Sequence, residues 1–102
     1  MIEENKTMAC SCKPYNELEE TVLMMLSEDY KARFVAEYRQ TKIRCERLKK
    51  FCNRIEAAYR SKGKLEEPRH DCELDLLREQ LSAMERYLHL LEIRAVIEHI
   101  EL

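Results

Sequence analysis

Along the middle of this chain, apolar and polar positions alternate with the period of a helix. Tyr38, Thr41, Cys45, Leu48, Cys52, Ile55 and Tyr59 recur at steps of three and four, and Tyr30 and Phe34 extend the row upstream at steps of four. Such a row forms one stripe on a helix that packs along its length against another helix. A second row, Leu74, Leu77, Leu81, Met84, Leu88, Leu91 and Ala95, repeats the spacing. Long helices are therefore predicted over 28–62 and 71–99, and the loop between them, 63–70, is short enough to force them antiparallel. Good helix formers with a clustered apolar face predict a short helix over 15–26, while the polar, non-periodic stretch 1–14 reads as a flexible arm ending at Pro14. The expectation is an all-α fold: a long antiparallel helical hairpin with a short N-terminal helix, one domain over 15–102, self-associating into a helical bundle.

Local signals punctuate these helices. Ser27 can cap the first long helix, with Glu28 and Asp29 placing negative charge where the helix dipole favours it. Gly63 suits a left-handed cap, Lys62 and Lys64 suit a helix C-terminus, and Pro68 restarts the chain. Glu67 or Asp71 can cap the second long helix. Placing Leu48 level with Leu88 sets Cys52 beside Met84 and Cys45 beside Leu91. That register brings three opposite charges together, Lys42 with Glu92, Lys49 with Glu85 and Glu56 with Arg78. Exposed pairs add little stability, but they discriminate between registers.

The second long helix carries more apolar surface than one partner covers. Leu76, Ala83, Leu90 and Ile97 make another line at seven-residue spacing, joined by Tyr87, Ile93 and Ile100. A two-helix core seldom supplies more than about 3–5 kcal/mol. The N-terminal helix is expected to cover part of this line, and a second copy the rest through Leu76, Ala83, Tyr87, Leu90 and Ile97, giving a dimer or higher oligomer.

Composition narrows the class. Among 102 residues there is one glycine and there are two prolines, too few for the hairpins of a sheet protein or the phosphate loops of a nucleotide fold. No apolar run approaches the roughly 18 residues of a membrane span. Five cysteines, Cys10, Cys12, Cys45, Cys52 and Cys72, are an odd count without a signal-peptide pattern, which points to reduced thiols in a cytoplasm. Cys45 and Cys52 fall on the apolar stripe as core residues. Cys10, Cys12, His70 and Cys72 could together ligate zinc, but their spacing is unlike that of structural zinc sites, so no metal or other cofactor is expected.

Charge is uneven. Lys31–Lys64 carries +9 within a chain of net charge −2. A basic helix can simply lie against an acidic one, or it can present a face to phosphate or to an acidic protein. In the chosen register Arg44 and Arg94 face each other, with Arg47 one turn away. Opposed guanidinium groups need an anion between them, supplied by Glu98 or by a bound phosphate. Arg44, Arg47 and Arg94 are thus the candidate ligand-binding residues. Nucleic acid is not favoured: the sequence pI is near 6.0, tryptophan is absent, and the aromatics lie mostly on or beside the stripe. No acid, base and nucleophile assemble, since His70, His89 and His99 are scattered, and a non-enzyme is expected.

Three stretches carry a resemblance. The run from Glu28-Asp-Tyr-Lys-Ala-Arg-Phe to Ala36-Glu-Tyr-Arg-Gln, the Arg44-Cys-Glu-Arg-Leu-Lys-Lys-Phe run, and Leu76 to Arg94 with its Gln80-Leu-x-Ala-Met-x-x-Tyr-Leu signature resemble small helical proteins of phages and prophages of gut bacteria, crAss-like phages among them. The similarity spans roughly Glu28 to Ile97 and transfers no residue roles. It implies a phage-derived accessory protein in the bacterial host cytoplasm that counters host defence by capturing a nucleotide messenger within an oligomer. Two alternatives stay open: an anti-CRISPR-like inhibitor that binds a defence protein directly, or a phage structural or assembly helper.

Overall fold

The computed structural model describes residues 18–102, and these form three helices and no strand. The predicted arm and the zinc candidates Cys10 and Cys12 lie outside the described residues. Helix α1 covers 18–25, α2 runs over Tyr30–Arg60 and α3 over Leu74–Glu98. At 1.5 Å per residue the two long helices measure about 46 and 38 Å. They run antiparallel, since Tyr30 at the start of α2 bonds Glu98 at the end of α3, while Glu56 near the end of α2 pairs with Arg78 near the start of α3. No helix among the described residues is long and apolar enough to cross a membrane.

The predicted stripes form the seam. Phe34, Tyr38, Cys45, Leu81, Leu88, Leu91 and Ala95 join one buried cluster, with Leu48 and Met84 packed on it. Cys52 and Ile55 continue the buried row toward the loop. Tyr30 and Tyr59, at the two ends of the α2 row, are exposed instead. The register agrees with expectation at the loop end, where Arg78 meets Glu56 at 2.5 Å. Further along, Lys42, Lys49, Glu85 and Glu92 line one cleft, and Glu92 takes its hydrogen bond from Tyr38.

Helix ends differ from the local signals. Asp29 caps α2, accepting from the Lys31 N–H at 3.1 Å, and Ser27 supports the turn by accepting from the Asp29 N–H. Asp29 is favoured because its carboxylate sits where the first orphan amides point. Helix α2 ends at Arg60, and both Lys62 and Gly63 then take positive φ. Glu73, rather than Glu67 or Asp71, stands at the N-cap of α3 and makes no side-chain cap, while Glu67 is engaged with His70. At the far end of α3, His99 adopts the left-handed conformation usually left to glycine. Its N–H reaches the Val96 carbonyl and the Ile100 N–H reaches that of Ala95 at 2.8 Å. This Schellman closure turns Ile100 inward, so it joins the core rather than the outer line of α3.

The largest departure concerns α1, which packs on α2 rather than along the outer line of α3. Thr21 is fully buried, donating to the Leu18 carbonyl at 2.6 Å and accepting from Gln40 at 2.8 Å. Gln40 also reaches Met25, and Met24 packs on the core. Ala36 and Ile43 lie on the side of α2 opposite Cys45 by helical angle, yet are only 0% and 9% exposed. The turn at 26–29 accounts for this: a connection of four residues folds α1 back onto the helix that follows it. Leu76, Ala83, Leu90 and Ile97 remain exposed. Tyr87 is partly exposed and bonds Glu37 across the seam, so it belongs in part to the chain's own packing.

Candidate anion-binding face

Helix α2 has two kinds of outer surface. On the side away from α3, Ala36 and Ile43 are buried on the flank where Gln40 meets α1. Beyond Ile43 the residues that follow on this side, at steps of four, three and four, are Arg47, Lys50 and Arg54, with Arg44 beside them. All four are exposed, and no ion pair joins them to an acid among the described residues. From Arg44 to Arg54 the row spans about 15 Å of helix. Four cations on one helical flank repel each other by i, i+3 and i, i+4 proximity, and an anion of matching length relieves that repulsion.

Along the edge where α2 meets α3, charge is mixed. A cleft of about 600 Å³ is walled by Glu20, Tyr38, Arg39, Lys42, Ile43, Glu46 and Leu102. A smaller one of about 260 Å³ adjoins it through Lys42 and Glu46, and adds Cys45, Lys49, Glu85, Leu88, His89 and Glu92. Tyr38 donates to Glu92 at 2.6 Å, and burial together with that bond pushes its phenol up to about 12. The Lys42 ammonium lies 5.8 Å from the centre of the Tyr38 ring. Burial, then the Glu85 and Glu46 charges, raise the Cys45 thiol above its ordinary value, so it packs as a neutral group. With at least as many carboxylates as cations on their walls, these clefts do not concentrate positive potential as the α2 flank does.

The three arginines singled out from sequence are separated. Arg44 and Arg47 belong to the α2 flank. Arg94 does not face Arg44: its Nε pairs with Glu98 at 2.9 Å, another nitrogen reaches the Tyr30 hydroxyl, and its guanidinium lies 5.0 Å from the Phe34 ring centre. Phe34 is ten residues from Arg44, about 15 Å along the axis. The anion that Arg94 needs is Glu98, whose carboxyl Arg94 holds below the ordinary carboxylate range. Sequence reasoning missed Lys50 and Arg54 as companions of Arg47, although their spacing of three and four was available to it.

No group of three or more His, Cys, Asp or Glu side chains suited to a metal occurs among the described residues. His70 instead sits between the Cys72 carbonyl at 2.7 Å and the Glu67 carboxylate at 2.6 Å.

No curated relative and no solved structure matches the chain. One family model does, over residues 28–97, which takes in both long helices and the whole basic flank. By that match the chain belongs to the Sequestin family.

Proposed function

We propose that this is a non-enzymatic binding protein that sequesters a phosphate-bearing nucleotide messenger, and that the α2 flank supplies the charge for capture. The family name speaks of sequestering. The observation that carries the reading is the row Arg44, Arg47, Lys50 and Arg54, exposed together on one side of α2. Guanidinium groups suit phosphate through paired N–H donors, and three of the four cations are arginines. A single convex helix has no walls, so the pocket is completed by a second copy, which the exposed outer line of α3 also calls for. In the phage setting implied by the resemblance, capture of such a messenger would blunt a defence signal inside the host cell.

Calorimetry against cyclic dinucleotides and ADP-ribose derivatives tests this. Binding at micromolar concentration or tighter is expected with at least one, and the absence of heat from all of them well above micromolar overturns it. The open, linear form of the flank also fits an acidic protein surface, the second reading. Pull-down from host lysate separates the two: one stoichiometric protein favours the latter, and a small molecule released on heating favours capture.

A further inference from the structure

Among the described residues two apolar faces stay uncovered, and they match each other. On α1, Thr21 and Met24 point into the fold, which leaves Val22, Leu23 and the adjoining Leu26 outward, with Leu23 79% exposed. Glu19 stands on the same outward side, three, four and seven residues before them. On α3, Leu90, Ile93 and Ile97 are exposed, and Arg86 stands four, seven and eleven residues before them on the same side. Each face is thus one charge followed by three large apolar side chains, and the charges are opposite.

We propose that α1 of one copy seats on the Leu90–Ile97 face of α3 in a second copy, with the two helices parallel so that Glu19 meets Arg86. The inference rests on the self-association invoked above and says which surfaces meet. The occupant is a second copy because the chain's own α1 is tied to α2: Gln40 holds Thr21, and the short turn at 26–29 keeps α1 beside α2. Helix α1, about 12 Å long, matches the roughly 10 Å from Leu90 to Ile97. A two-fold axis makes the exchange reciprocal, so each dimer contains the contact twice and both uncovered faces are buried in one closed assembly. A two-fold pairing of α3 on α3 centred at Leu90 would instead set Arg86 against Arg94 of the other copy, like charge against like.

The test uses two full-length variants, Leu23→Glu with Leu26→Glu, and Leu90→Glu with Ile97→Glu. All four positions face outward, and circular dichroism checks that helix content is kept. Sedimentation velocity on the unmodified chain is expected to give a dimer, and on each variant a monomer, with dimer affinity reduced by more than about 100-fold. Mixing the two variants leaves one intact contact per pair and sets introduced carboxylates against each other in the second, so a heterodimer weaker than the unmodified dimer, but tighter than either variant alone, is expected. If the α1 variant dimerises as the unmodified chain does, this pairing is overturned while self-association through α3 stands. An unmodified chain that is monomeric at tens of micromolar overturns both. A disulfide between Leu23→Cys in one tagged copy and Ile93→Cys in another supplies an independent reading: its formation places the faces together, and its absence in a proven dimer separates them.

Discussion

At the scale of single residues, burial sets what each side chain can do. Ile55 is fully buried, so Ile55→Ala leaves a cavity and is expected to cost about 2–5 kcal/mol in urea denaturation. Cys45 and Cys52 are buried while Cys72 is exposed. Brief alkylation of the native chain followed by mass mapping is expected to modify Cys72 and to leave Cys45 and Cys52 unmodified until denaturant is added. The burial of those two cysteines was legible from their place in a three-and-four row, because helical spacing alone fixes the side of a helix. The partner of Arg94 was not, since a long cation reaches several turns and its choice among Glu98, Tyr30 and Phe34 depends on how far the helices slide. Equally hidden was the left-handed His99, which no glycine announces. His99→Gly keeps the Schellman closure without the Cβ penalty and is expected to add about 0.5–1 kcal/mol.

At the scale of elements, the loop and the helix ends respond to pH in opposite directions. His70 lies between two acceptors, and the Cys72 carbonyl first, then the Glu67 carboxylate, raise its affinity for a proton. Its contribution is fully present below the ordinary value of 6.5 and is lost as pH rises through the raised folded value. Glu56 is lowered by its bonds to Arg60 and then Arg78, and Glu98 chiefly by Arg94. Their contributions are present above the ordinary 4.5 and are lost as pH falls through the depressed folded values. Melting temperature is therefore expected to peak between pH 4.5 and 6.5, and His70→Gln should remove the decline on the alkaline side only. The Glu56–Arg78 pair was legible because it follows from one choice of register. The seat of α1 was not: an apolar face says that something covers it, whereas Thr21 and Gln40, two polar side chains, decide which element does.

At the scale of the whole molecule, the seam between α2 and α3 accounts for the fold, and what remains outside it bears on function. The outer line of α3 and the outward face of α1 are apolar surfaces that one copy leaves in water. The α2 flank is a row of exposed cations that no ion pair engages among the described residues, with Glu46 at its edge four residues before Lys50. The proposed capture links the two, with self-association supplying the walls that a lone helix lacks. Charge reversal on the flank tests that link most directly, because Arg47 and Arg54 are exposed and outside the core. Calorimetry on Arg47→Glu with Arg54→Glu, beside the unmodified chain and with a nucleotide that the unmodified chain binds, is expected to show affinity reduced by more than about 100-fold, with helix content unchanged. Equal affinity in the two proteins would contradict the account.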